Sequence, residues 1–190
     1  MSELTIDKKK TAVVVIDLQK GIVAMPVKPY SANEVISNAS KIVESCRKNN
    51  IPVFLVHVNP SKDTALKPIV DVTFSGRINP PKDWAELIPE LNVQDSDIII
   101  KKQQWGAFFG TDLDLQLRRR KIDTIILCGI ATSLGVESTA RFAYEYGYNQ
   151  IFAEDAMSSM TAEEHNSSVN NIFKRMGLVR KTSEIIYILN

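Results

Sequence analysis

Ile125-Ile-Leu-Cys128-Gly-Ile-Ala-Thr-Ser-Leu-Gly135-Val-Glu-Ser-Thr-Ala140 is the stretch on which the fold turns. An apolar strand runs through a tight turn into a helix. In a parallel α/β sheet such a junction is where a reactive group is presented, outside the carboxyl end of a strand. The first helical positions hold Gly135 and no thiol. Main-chain N–H groups at a helix start can hold a carboxylate or an oxyanion, and glycine lets a ligand approach the backbone closely. A plain helix start with a small residue for packing accounts for the same stretch by itself.

Outward from this junction, apolar runs and helical spacings alternate. The pattern predicts strands over 11–16, 52–58, 97–101, 124–128, 148–153 and 184–189. Val35, Ile36, Ala39, Ile42, Val43 and Cys46 recur at helical spacing, and Asn49-Asn50 closes that helix. Further helices are expected over 112–119 and 136–146. Thr161-Ala-Glu-Glu164 fits a capping box that opens a helix running to Met176, with Gly177 closing it. The alternation implies a three-layer α/β/α sandwich on a mainly parallel six-stranded sheet, Rossmann-like in plan. Residues 59–95 interrupt it with Pro60, Pro68, Pro80, Pro81 and Pro89 and little periodicity. One short helix is expected there near 84–87, and so long an excursion suits a substrate lid or a subunit contact.

Composition narrows the function classes. A chain of 190 residues, 44% hydrophobic and 24% charged, is expected to form one domain over 1–190. Its 23 basic and 22 acidic side chains nearly cancel, which gives no reason to expect nucleic acid or a membrane as partner. The run Arg118-Arg-Arg-Lys121 lacks interleaved aromatics and reads as a solvated helix end. The N-terminus has no apolar signal core and no run approaches a membrane span. Cys46 and Cys128 both lie in apolar patterns, which suits a reducing, cytoplasmic setting.

Ligands of such sheets bind beyond the strand carboxyl ends. Asp17 interrupts an apolar run there and, if buried, needs a partner such as a lysine ammonium. Lys101 and Lys102 end the third strand; taken alone, each reads as a solvated strand end. The combination is far more specific. Asp17-Leu-Gln, Lys102-Gln-Gln-Trp-Gly-Ala-Phe108, Gly129-Ile-Ala-Thr-Ser-Leu-Gly-Val-Glu-Ser-Thr-Ala140 and Glu154-Asp155-Ala156 together resemble the isochorismatase-like hydrolase superfamily over about residues 10–180.

That resemblance implies catalytic roles for Asp17 and Lys102, with Asn59, Phe108, Ala131, Thr132 and Gly135 around the substrate. It also implies a non-proline cis peptide between Ile130 and Ala131. The superfamily's cysteine nucleophile, where present, falls on Gly135; Cys128 lies inside a strand and is no shifted copy of it. Amidases of the superfamily use an Asp–Lys–Cys triad. True isochorismatases have glycine at the cysteine position and cleave a vinyl ether without a protein nucleophile. The chain therefore resembles a hydrolase of a small enol ether or related molecule, with no cofactor. Rival readings are a catalytically silent binding or assembly protein and an amidase that uses Asp17-activated water. The pocket wall differs from isochorismate-cleaving relatives, with Asn59-Pro60 after the second strand and Ala131 in place of a tyrosine. The Asp-x-His triplet of metal-binding relatives is lacking after that strand, so no metal is expected. His57 or Asn59 suits substrate contact or loop anchoring, His165 a structural role, and Trp84 and Trp105 packing ahead of a pocket or subunit contact. Arg77 suits a pocket or a subunit contact. Relatives' habits imply a homodimer or homotetramer.

Overall fold

The computed structural model describes residues 6–59, 66, 68–72 and 80–190. β1 (Thr11–Ile16) is buried at every position, as a central strand covered on both faces must be. It is flanked by β2 (Val53–Val58) and β4 (Thr124–Ile130). β3 (Ile98–Lys102) lies outside β2, and β5 (Asn149–Ser158) and β6 (Leu178–Arg180) continue beyond β4. The order is β3-β2-β1-β4-β5-β6, with all pairings parallel. The chain winds outward from β1 in one direction, then returns to lay β4 on its other side. That reversal opens a crevice beyond the carboxyl ends of β1 and β4.

Alternate strand residues feed two separate cores. Val13, Val15, Leu55, Ile126 and Cys128 face a layer that contains α1 (Lys20–Val23), α2 (Ala32–Lys48) and α7 (Thr182–Leu189). Val14, Ile16, Val56, Ile125 and Leu127 face α3 (Leu113–Arg119), α4 (Glu137–Glu145) and a helical stretch made of α5 (Ala162–Ser167), a π-helical segment and α6 (Lys174–Met176). The three-layer α/β/α sandwich is thus as the alternation predicts. α2 begins with Ser31 and Glu34 in a reciprocal capping box, and its Val35–Ala39–Ile42–Val43–Cys46 stripe is buried.

Three expectations fail. Residues 184–189 form the end of α7 instead of a strand: Ile185 and Leu189, four apart, are buried while Tyr187 points out. Glu184 fixes the helix start by accepting the Lys181 N–H at 2.8 Å. The sixth strand is Leu178–Arg180. β5 runs on to Ser158, through a register shift opposite β4, instead of ending at 153. The short helix expected near 84–87 is a turn over 82–85, followed by a 3-10 turn at Pro89–Leu91.

One glycine is decisive for the crevice. Gly129 has φ of 122°, and a Cβ there would stand 2.0 Å from the Ile16 carbonyl oxygen. Only glycine lets β4 press against β1 immediately before Asp17.

Candidate active site

Asp17 leaves β1 in the left-handed region, with φ of 52°. Aspartate tolerates that region better than branched residues do. Its N–H donates to the Val56 carbonyl at 2.9 Å, and Gln19 N–H closes the turn on the Asp17 carbonyl at 2.8 Å. Lys102, the last residue of β3, reaches across the end of β2. Its Nζ lies 2.7 Å from Asp17 Oδ2, and the pair is almost wholly buried. The ammonium also donates to the carbonyls of Gln104 at 3.2 Å and Trp105 at 2.8 Å. Lys101, one residue earlier, is exposed. The period of two along the strand thus separates the adjacent lysines into a site group and a solvated one.

The elbow faces this pair. The Ile130–Ala131 peptide is cis. A π-helical turn over Thr132–Val136 follows and leads into α4. The Ala131 carbonyl accepts from Leu134 N–H at 3.2 Å and Val136 N–H at 3.1 Å. A Cβ on Gly135 would stand 3.1 Å from Asp17 Oδ2 and 3.0 Å from Ile16 Cγ2. Thr139 ties the elbow to the segment after β3: its hydroxyl donates to Gly135 O at 2.7 Å and accepts Ala107 N–H at 3.0 Å.

Asp17, Lys102, Ala131 and Gly135 line one cavity of about 680 Å³, its open mouth included. Its walls are apolar, with Ile22, Met25, Trp84, Trp105, Leu134 and Met160. The other expected substrate residues stand elsewhere. Phe108 is buried against Tyr146 and Tyr148, with ring centroids 5.4 and 5.7 Å away. Thr132 is fully buried, and its hydroxyl meets His165 Nδ1 at 2.9 Å. Asn59 N–H donates to the Lys102 carbonyl at 2.9 Å, which fixes the strand end. Arg77 lies outside the described residues. Among the described residues no cluster of three or more His, Cys, Asp or Glu side chains could hold a metal. Cys128 is buried in β4, where desolvation pushes its thiol far above the ordinary range; the same cause raises Cys46 to about 12.

The sequence undervalued the wall. Trp84 and Trp105 both line the cavity. Trp84 rides on a segment held from several sides. Gln19 Nε2 donates to the carbonyls of Val58 at 3.0 Å and Trp84 at 3.2 Å, and its Oε1 accepts Val58 N–H at 2.7 Å. His57 Nδ1 lies 2.8 Å from the Ala85 carbonyl, so His57 anchors the loop. Lys20 pairs with Asp83 at 3.0 Å and Glu86 at 2.7 Å on the surface. Gly21 makes room for the indole, because a Cβ there would fall 1.9 Å from Trp84 Cδ1. A fully buried glutamine and a glycine in a short helix are weak signals when no partner is visible.

Behind the elbow lies a polar cluster. Glu154 pairs with Lys181, accepts the Tyr30 hydroxyl at 3.0 Å and stands 3.9 Å from His165 Nε2. Burial favours the neutral carboxyl, but these neighbours outweigh it and hold Glu154 at about 2. His165 carries the cluster to Thr132.

Comparison with known proteins agrees with this architecture. The chain matches the isochorismatase domain over residues 11–184. It is 52% identical over 189 residues to the isochorismatase family protein YwoC of Bacillus subtilis (strain 168), covering 98% of this chain and 97% of the relative. It is 50% identical over 185 residues to YecD of Escherichia coli O157:H7, covering 96% and 98%. An isochorismatase family protein from Burkholderia thailandensis superposes with a TM-score of 0.92 at 41% identity, covering 97% of each chain. A parallel sheet that ends in Asp17 and Lys102, faced by a cis-peptide elbow, thus belongs to a member of the isochorismatase family, an enzyme of the hydrolase type.

Proposed function

We propose that this enzyme hydrolyses a small enol ether, or a related small molecule, at Asp17 and Lys102 without a cysteine nucleophile. The observation that carries the reading is Gly135. Its Cα–Cβ direction points at Asp17 Oδ2, 3.1 Å from the Cβ position, and the residue brings no side chain there. Chemistry that needs an acid and a water, but no covalent acyl-enzyme, suits this geometry.

In this reading protonated Asp17 delivers its proton to the terminal methylene carbon of the enol ether. The adjacent carbon becomes an oxocarbenium centre, and water adds to it. The water's proton returns to the Asp17 carboxylate, and the hemiketal collapses to a ketone and an alcohol. One water is consumed and Asp17 is regenerated. Lys102 holds Asp17 in place and favours its ionised form, whereas the apolar walls favour the acid. A substrate carboxylate near Lys102 would also favour the acid. In this reading main-chain N–H groups of the elbow steady a carboxylate or carbonyl oxygen of the substrate.

Assembly belongs to the same proposal. Trp105, Phe109, Phe142 and Tyr146 expose aromatic surface around the elbow helix, which suits a homodimer or homotetramer; sedimentation equilibrium at several concentrations checks this. The enzymatic test follows pyruvate release from carboxyvinyl ethers by the purified protein. Turnover that disappears in Asp17→Asn is the expected result. Release of ammonia or amine from small amides, with no pyruvate, would instead favour Asp17-activated water acting on an amide. Saturable binding with no turnover of either class would mark a silent binding protein.

A further inference from the structure

We infer that the cavity takes a compact, largely apolar molecule that carries at most one negative charge; this reading of substrate class rests on the enol-ether proposal above. An ammonium has three N–H donors. Those of Lys102 already meet Asp17 Oδ2 at 2.7 Å, Trp105 O at 2.8 Å and Gln104 O at 3.2 Å. A substrate anion can therefore claim Lys102 only by displacing one of these acceptors. While ionised, Asp17 also offsets the lysine's charge at close range, and once it is protonated the pair carries a single positive charge, enough to balance one anion.

Among the described lining residues the charged groups are confined to one side. Gly135, Asp17 and Lys102 form a continuous patch, with the Gly135 Cβ position 3.1 Å from Asp17 Oδ2 and that oxygen 2.7 Å from Lys102 Nζ. Among the described lining residues Asp17 and Lys102 are the only formal charges. Met25, Trp84, Leu134 and Met160 supply thioether, indole and alkyl surface. One carboxylate can lie on the polar patch beside the elbow's main chain. A second, on the far end of the same molecule, would shed its water against the carbon and sulfur of these described residues, which offer it no charge in exchange. A ring in that position gains instead, since the two indoles offer flat apolar faces.

A matched pair of ligands tests this. α-Phenoxypropanoate is a saturated, non-hydrolysable monoanion, and its meta-carboxylated analogue is the dianion of nearly the same shape. Both tryptophans of the chain line the cavity, so intrinsic fluorescence reports occupancy of this site. The monoanion is expected to bind on the order of 100-fold more tightly than the dianion. Met160→Lys, which places an ammonium on the apolar wall, is expected to narrow that ratio to about 10-fold. Equal binding of the two by the native protein, or binding of neither, overturns the inference.

Turnover is measured separately with α-phenoxyacrylate, which water converts to phenol and pyruvate. Selective binding of the monoanion without pyruvate release leaves the substrate class standing and removes the enol-ether reading. Pyruvate release with equal binding of both analogues does the reverse.

Discussion

Asp17 and Glu154 both sit in the carboxyl-terminal half of the sheet, and their surroundings are opposite. Glu154 is approached by Lys181, Tyr30 and His165, from three separate parts of the chain. Asp17 meets Lys102 at 2.7 Å and opens onto walls of methionine, leucine and tryptophan. A carboxylate surrounded by converging donors is locked in its charged form. One that must give up and regain a proton, as proposed for Asp17, needs a cation and an apolar cavity pulling in opposite directions. The contrast supports the proposal that Asp17 transfers the proton while Glu154 holds the elbow in place.

The strongest way to break this assignment is to neutralise each carboxylate in turn. Asp17→Asn is expected to lower kcat/KM by about 1,000-fold on any enol ether that the native enzyme turns over. Glu154→Gln is expected to lower it less than about 10-fold, because its effect must pass through His165 and Thr132 to the elbow. Equal losses in the two variants would erase the distinction.

Stability should report the Asp17 pair as well. Lys102→Met leaves a buried carboxylate without its cation and is expected to cost about 3–5 kcal/mol in urea unfolding at neutral pH. Adding Asp17→Asn to it should recover part of that loss, since the uncompensated charge is gone. A double variant as unstable as the sum of the single ones would show that the pair is not coupled in the folded state.

Glu154 makes a prediction about acid. Its carboxyl is held at about 2, against an ordinary value of 4.5. A carboxylate with a depressed folded value stabilises the protein above its unfolded pKa, and loses that contribution as pH falls through the folded one. The native protein should therefore lose about 2–3 kcal/mol between roughly pH 4.5 and 2 on this account. Glu154→Gln should remove that part of the acid limb while costing a similar amount at neutral pH. Parallel acid-unfolding curves for the two proteins would show that Glu154 carries none of it.

What was legible in the sequence follows the same division. Asp17 could be read because a charge at the end of Thr11–Ile16 has no reason to be there except a partner or a reaction. The elbow could be read because strand, turn, glycine and helix are contiguous. Lys102 was separable from Lys101 only through the family pattern, since the strand register that buries one and exposes the other depends on β2. The polar cluster was not legible: Glu154, Tyr30, His165 and Lys181 are distant in sequence and meet only when α5, α7 and the turn before α2 pack together. The terminal helix was misread because Ile185-Ile-Tyr-Ile188 is a β-branched, aromatic run whose four-residue burial period appears only against α2. The walls escaped for a related reason. Trp84 lies in a segment without periodicity, and its seat is made by Gly21 from a remote turn.

That seat gives the smallest and most selective perturbation. Gly21→Ala places a methyl where the Trp84 ring now lies, 1.9 Å from Cδ1, so the indole must move. The backbone of the segment stays tied by Gln19, His57 and Lys20, which confines the change to the ring. Water then reaches the Asp17 side of the cavity more easily, and the environment of Asp17 shifts toward the wetter, donor-rich kind that surrounds Glu154. KM is expected to rise about 10-fold, as for the loss of part of an apolar contact, with kcat falling less. If Asp17 is the acid, as proposed, the pH dependence of kcat should also move toward lower pH, because better solvation favours its carboxylate. A KM increase with an unmoved pH profile would show that Trp84 only grips the ligand. Movement of both would show that the apolar wall is what keeps Asp17 unlike Glu154.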